Sequence, residues 1–379
     1  MNGNTQKMVY STLRHGNCVI NCVIYGVFSA IIILVPPTIV TYNNIAWQTI
    51  MYSSMPFKFA DYKWTICFVC LACPPSYPLS LRLTFQRQLH SHRFKKVNGL
   101  AHLDGILYTI CEKSSAIHVF PSCDQEQVKL FAVEGMRRPK DIVACDRNKC
   151  LYIADDKLSC VFKIDVCQLQ NGLTEHLSPT IVFEVKDPFT MSIAHNGRLL
   201  LSRYHTNKLV LREGDGSFTK PVLLPNDVKA VHAIQISDGK ILVAYKKLVG
   251  TNKDIYELSD PSNWFVGEFD EDGTQLFCSD PQAGNLLYNR YLTLVGEGDD
   301  KAIVIADCDN SAIVQLDRSL SLGNILLNKE LDSIANPRRI IYLNESKQLV
   351  VGLQNGWINI YGVAILRHTI TEPQTYQTL

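Results

Sequence analysis

Charge is the first thing missing. Between Gly16 and Phe57 there is no Asp, Glu, Lys or Arg, and residues 1–96 hold one acid, Asp61, against nine Lys and Arg, a net of +8. The rest of the chain holds 35 acids and 28 bases, a net of −7, so the overall +1 conceals two different materials. The acidic balance of the larger part argues against a general affinity for nucleic acid. A disulfide framework is missing too: of 13 cysteines five precede residue 74, and the other eight lack the spacing of a small stapled domain. No G-x-S-x-G elbow, H-E-x-x-H pair or P-loop occurs. After Val97 no stretch carries the period of a long amphipathic helix, which excludes helices layered on a parallel sheet.

What fills the chain instead is a repeated all-strand unit. Pro139 to Asp165 holds three short strand-forming runs, DIVAC, CLYIAD and CVFKID, joined by tight polar connections. Tyr291 to Asp317 and Pro337 to Gly362 repeat the order. Taking the second strand of each group as marker, six groups start at Ile106, Leu151, Leu199, Ile241, Ile303 and Leu349. The intervals are 45, 48, 42, 62 and 46 residues, so one blade length fits all but the fourth, which takes an insertion between about Lys246 and Asn289. Third strands are expected at AIHVF, CVFKI, KLVLR, DIYEL, AIVQL and WINIY, and outer strands at VKLFAV, TIVFEV, PVLLP and NILLNK. The markers are nearly continuously apolar, as in sheets buried on both faces. The chain of 379 residues, 46% hydrophobic, can fill such a core. The fold class predicted is an all-β six-bladed β-propeller over 97–370, with an apolar N-terminal region (1–80), a basic linker and closing strand (81–96) and a tail (371–379).

In the N-terminal region, Cys18 to Val35 is apolar and long enough to cross a bilayer, with Lys7, Arg14 and His15 before it and Pro36 and Pro37 after. It predicts a membrane helix within 18–40, with a secretory signal as the rival reading. A second uncharged run, Trp64 to Leu81, is broken by Pro74, Pro75 and Pro78. If both insert, the basic groups at either end share one side and the propeller is membrane-associated and cytosolic. Cys67, Cys70 and Cys73, with His90 and His92 downstream, raise zinc, but their apolar flanks favour buried free thiols. LRLTF, Leu81 to Phe85, alternates like an outer strand, and an open ring would leave a bare sheet edge for it to cover.

IADDKLSCVFKID, IADCDNSAIVQLD and VGLQNGWINIYG resemble the NHL repeat, whose blades run from a Pro-rich entry through a v-y-V-A-D strand to an N-x-R-I-x-x-F-d strand. The entries at Arg138, Asn289 and Pro337 match its opening, and Asn310 its Asn, while Ser159, Ala312 and Trp357 replace the usual Arg. The resemblance covers about residues 97–362. It implies a six-bladed TolB-like propeller serving as a protein- or RNA-binding platform, with metal-dependent lactonases or lyases as a minority among related propellers.

The first strands of a propeller enter around one mouth of the central channel. Here the entries carry Asn98, Lys140, Asp141, Met191, His232, Arg290, Arg338 and Arg339. Only Asp141 and Asn98 suit a hard cation, so no metal or cofactor is expected and a metal-dependent hydrolase of lactones or esters is the alternative. The run EFDEDG from Glu268 lacks a calcium-loop register. Lys140, Asp141, His232, Arg290, Arg338 and Arg339 form the candidate ligand mouth of a non-catalytic scaffold. Its expected partner is an acidic or phosphorylated peptide, with RNA as a lesser alternative. The competing explanation is that basic residues at blade entries merely cap loops.

Overall fold

The computed structural model describes residues 79–366 apart from 91–95, 122–127, 171–175, 204–205, 238, 249–263, 280–290, 298–300, 317–319 and 321. Below residue 79 it describes five strand paths. The chain divides into two units, 1–77 and 78–379.

In the first unit the strands lie in the order Val9–His15, Cys18–Val27, Ala30–Leu34, Tyr62–Val69, Ser54–Phe59. The apolar run in which a membrane helix was expected follows two paired strand paths here, Val27 opposite Ala30 at the reversal. Nine of the 18 residues from Cys18 to Val35 are Val or Ile, whose branched Cβ favours extended backbone over helix. No helix among the described residues is long and apolar enough to cross a membrane. Cys70, Cys73 and His92 lie outside the described residues.

The second unit is a six-bladed propeller of four-stranded antiparallel sheets, the first extended by His176–Leu177, which pairs in parallel with Lys129–Val133. Its innermost strands are Val97–Leu103, Pro139–Cys145, Pro188–Ile193, Val228–Ser237, Tyr291–Val295 and Pro337–Leu343. Each blade then steps outward through the marker strand to a third and a fourth. Described helices are confined to Val166–Gln170, Lys329–Asp332 and a 3-10 turn at His195–Gly197. Asp104 and Gly105, both at positive φ (51° and 77°), form the two-residue turn that closes the first hairpin.

The core is six separate clusters, one between each pair of neighbouring blades. The second blade's marker strand shows why its apolar run is unbroken. Leu151 and Ile153 pack towards the first blade, while Tyr152 and Ala154, one residue out of phase, pack towards the third. Asp155 ends that strand fully buried. Its carboxylate accepts from the N–H groups of Arg137 and Arg138 (2.6 and 2.8 Å) and of Lys157 and Leu158 (3.0 and 3.1 Å). The acid of the repeat thus closes two loops at once, a structural task.

One strand expectation is corrected. The third strand of the fourth blade is Trp264–Asp270, not Asp254–Leu258, which lies outside the described residues. Phe265 and Phe269 both meet the Tyr245 ring, at 5.6 and 5.7 Å between centroids, and this packing selects the aromatic run over the shorter one. The inserted residues fall between the second and third strands.

Ser80–His90 is the outer strand of the sixth blade, antiparallel to Trp357–Leu366 over ten residue pairs. The two ends of the propeller sequence therefore share one sheet, and Leu81 and Leu89 are buried in two different inter-blade clusters. Gln315 of the fifth blade holds the start of the strand by accepting from Leu81 N (3.1 Å) and donating to Leu79 O.

Candidate functional site: a closed-ended channel

The register of the innermost strands defines equivalent positions. Gly99, Asp141, Thr190, His232, Tyr291 and Arg339 lie opposite Ile110, Ala154, Ser202, Ala244, Ala306 and Gly352 of the marker strands. In the first, second, third, fourth and sixth blades a register shift precedes this position. Each of the six residues is one contribution to a single layer around the axis.

That layer is stitched from blade to blade. Asp141 Oδ2 accepts from Met191 N of the third blade at 2.8 Å, and Thr190 Oγ1 donates to Val231 O of the fourth at 2.8 Å. His232 Nδ1 accepts from Leu292 N of the fifth at 3.2 Å, and its ring lies 5.3 Å from that of Tyr291. The Arg339 guanidinium sits over the Tyr291 ring, 3.6 Å from Cζ to centroid. Arg339 then reaches the second blade, with Nε 3.3 Å from Asp141 Oδ1 and Nη2 donating to Lys140 O at 2.8 Å. Asn98 of the first blade donates to Pro139 O at 2.9 Å.

The electrostatics follow from burial. His232 is pushed down to about 3, first by burial and then by the Arg339 charge, so near neutrality it is an uncharged ring. With Nδ1 accepting, its proton is on Nε2. Burial pushes the Asp141 carboxyl upward against Arg339 and the N–H groups of Met191 and Ile142, and pushes the Tyr291 hydroxyl upward as well.

This layer is a floor. A cavity of about 510 Å³ has Asp141, His232, Tyr291 and Arg339 at one end and Asp104, Asp146, Asn344 and Glu345, from the opposite hairpin turns, at the other. Its lining includes no residue on the entry side of the floor. Two residues above the floor stand Ala101, Val143, Ser192, Ile234, Thr293 and Ile341, all but Ala101 half-buried. The residues next along, among them His102, Ile193, Gln235, Leu294 and Tyr342, are half-buried too. The channel is a cup, closed at the strand entries and open towards the hairpins.

Of the six residues picked out in the sequence, Asp141, His232 and Arg339 meet in the floor. Lys140 points elsewhere, to Asp156 at 3.1 Å, which also takes Arg138. Arg338 has a buried Nε without a hydrogen-bond partner, and Arg290 lies outside the described residues. Asp270 of the EFDEDG run closes its own hairpin, accepting from Asp272 N and Thr274 N at 3.0 and 2.8 Å. No group of three or more His, Cys, Asp or Glu among the described residues could hold a metal ion. Tyr291, Thr190 and Gly99 went unnoticed in the sequence. The signal that would have found them is their shared offset from the marker strand, obscured by the register shift.

No protein-family model and no curated protein matches the chain. Among solved structures it is similar to the hydrazine synthase of Kuenenia stuttgartiensis, with 12% identity, TM-score 0.48, and 72% of this chain and 84% of that one covered. It is also similar to virginiamycin B lyase from Staphylococcus aureus, with 12% identity, TM-score 0.48, and 75% of this chain and 99% of that one covered.

Proposed function

We propose that the propeller is a non-catalytic binding platform whose partner enters the cup from the hairpin side. The observation that carries this reading is the internal commitment of the floor. Both Asp141 oxygens accept from neighbouring groups, and His232 Nδ1 accepts a backbone N–H while its imidazole stays neutral. A general base needs a free lone pair and a pKa near the working pH, and a hydrolytic metal needs oxygen ligands not already taken. The resemblance of the second, fifth and sixth blades to NHL repeats points the same way. An acidic or phosphorylated peptide, or RNA, bound on the entry side would rest on Arg338 and on Lys140 drawn away from Asp156, because Arg339 is spent on Asp141.

The test uses the full chain with a photo-crosslinking residue at Thr293 in the cup and, as control, at Leu130 on the exposed rim. The same protein is assayed on aryl esters and lactones with and without calcium. Partner adducts formed from Thr293 and not from Leu130, without turnover, support the platform. Turnover by the natural chain that is lost in Asp141→Asn, under conditions where circular dichroism shows the variant folded, would replace it with the hydrolase.

A further inference from the structure

This inference rests on the cup being a binding site and names what it takes. Wall and mouth differ in chemistry. Val143, Ile193, Ile234, Leu294 and Ile341 are half-buried aliphatic side chains lining the cavity above the floor. The mouth is acidic, with Asp104, Asp146 and Glu345 from the hairpin turns of the first, second and sixth blades. His102 beside them does not offset that charge. Burial lowers its pKa although Glu345, Asp146 and Asp104 all pull it upward, so its ring is neutral at physiological pH.

Two ammonium groups already sit at this mouth, and one of them, Lys347, donates to Asn344 Oδ1 at 3.3 Å and is paired with Glu297 outside the cup. Lys149 Nζ stands 2.7 Å from Asp104 and 3.0 Å from Asp146, while no described cation pairs with Glu345. These are exposed pairs, largely screened by water, so an incoming cation displaces Lys149 at little cost. The floor sets the orientation of any ligand. Its one full cation, Arg339, is neutralised by Asp141, so a positive group driven to the bottom would meet a guanidinium and lose its water without gaining a partner.

We propose that the cup receives a partner segment that inserts one aliphatic side chain between the walls and sets an adjacent basic side chain against Asp104, Asp146 and Glu345. The volume suits such an insert, since ligand pockets run from roughly 300 to 1,000 Å³. Charge complementarity decides against an acidic insert, which would have to pass three carboxylates.

The experiment is isothermal titration of the full chain with a nine-residue peptide of glycine and lysine carrying one central leucine. Counterparts replace the leucine by glycine or the lysines by glutamates, and each is expected to bind at least tenfold more weakly. Glu345→Lys lowers affinity for the leucine–lysine peptide about tenfold, and Thr293→Trp, which fills the cup, removes it. Lys149→Asn raises affinity severalfold by releasing Asp104 and Asp146, and Asn tolerates the positive φ of 45° at that position. Both Glu345 and Lys149 are exposed, so these variants report binding even if Thr293→Trp perturbs folding. The proposal is overturned if the glutamate peptide binds equally well, if Lys149→Asn weakens binding, or if neither the natural chain nor Lys149→Asn binds the peptide. Cross-links from Thr293 with no dependence on peptide charge would leave the platform standing and remove only this assignment.

Discussion

Arg339 of the sixth blade forms its ion pair with Asp141 of the second, 3.3 Å from Nε to Oδ1, passing over the first blade altogether. The position between them in the layer is Gly99. A Cβ there would stand 2.6 Å from Ile142 N and 3.0 Å from Asp141 Oδ1, so the missing side chain is what leaves room for the bridge. Both partners are less than a tenth exposed.

Removing one partner of this pair strands the other charge in the interior. Arg339→Met and Asp141→Asn should each destabilise the propeller by about 3–5 kcal/mol in chemical denaturation. The double variant should lose clearly less than the sum, because the stranded charge disappears with its partner. Additivity within about 0.5 kcal/mol would show that the two groups do not interact.

Gly99→Ala tests the gap itself. Crowding backbone and the Asp141 carboxylate should cost about 1–3 kcal/mol, with no change in blade secondary structure by circular dichroism. A neutral effect would mean that the first blade can step aside.

His232 predicts a pH dependence with a definite sign. Its folded pKa of about 3 lies below the ordinary 6.5, so the unfolded chain binds the extra proton. The contribution to stability is whole above pH 6.5 and is lost as pH falls towards 3, by up to roughly 1.4 kcal/mol per pH unit. His118, also lowered, to about 4, acts in the same direction. The informative quantity is therefore the difference from His232→Asn, whose amide oxygen replaces the Nδ1 acceptor. That variant should lose less stability between pH 6.5 and 4 than the parent, and parallel curves would show that His232 does not titrate on unfolding.

The closing strand should behave as core. Leu89 is 3% exposed, in the cluster between the sixth and first blades, and Leu89→Ala should cost about 2–5 kcal/mol, as for a buried leucine in any central strand. A loss below about 0.5 kcal/mol would mark the strand as peripheral.

Much of this architecture is local and therefore legible along the chain. Blade number follows from the spacing of strand-forming runs, and hairpins such as Asp104–Gly105 follow from residues that accept a positive φ. The unbroken apolar marker strands carry the requirement that both sheet faces be buried. Where the determining contact is distant in sequence, local reading went astray. Trp264–Asp270 became the third strand of its blade because Tyr245, some twenty residues earlier, stacks on it.

The candidate site divides along the same line. Its residue types at the strand entries, Asp141, His232 and Arg339 among them, stand out as polar groups in apolar surroundings. Their roles do not, because charge alone cannot tell a cation offered to a ligand from one already paired 198 residues away. Only the closed ring brings the sixth blade within reach of the second, and it is that approach which turns Arg339 from a ligand contact into the latch of a floor. The same closure sends the open end of the channel to the hairpins, where Asp104, Asp146 and Glu345, unremarkable turn residues in the sequence, become the rim of a cup.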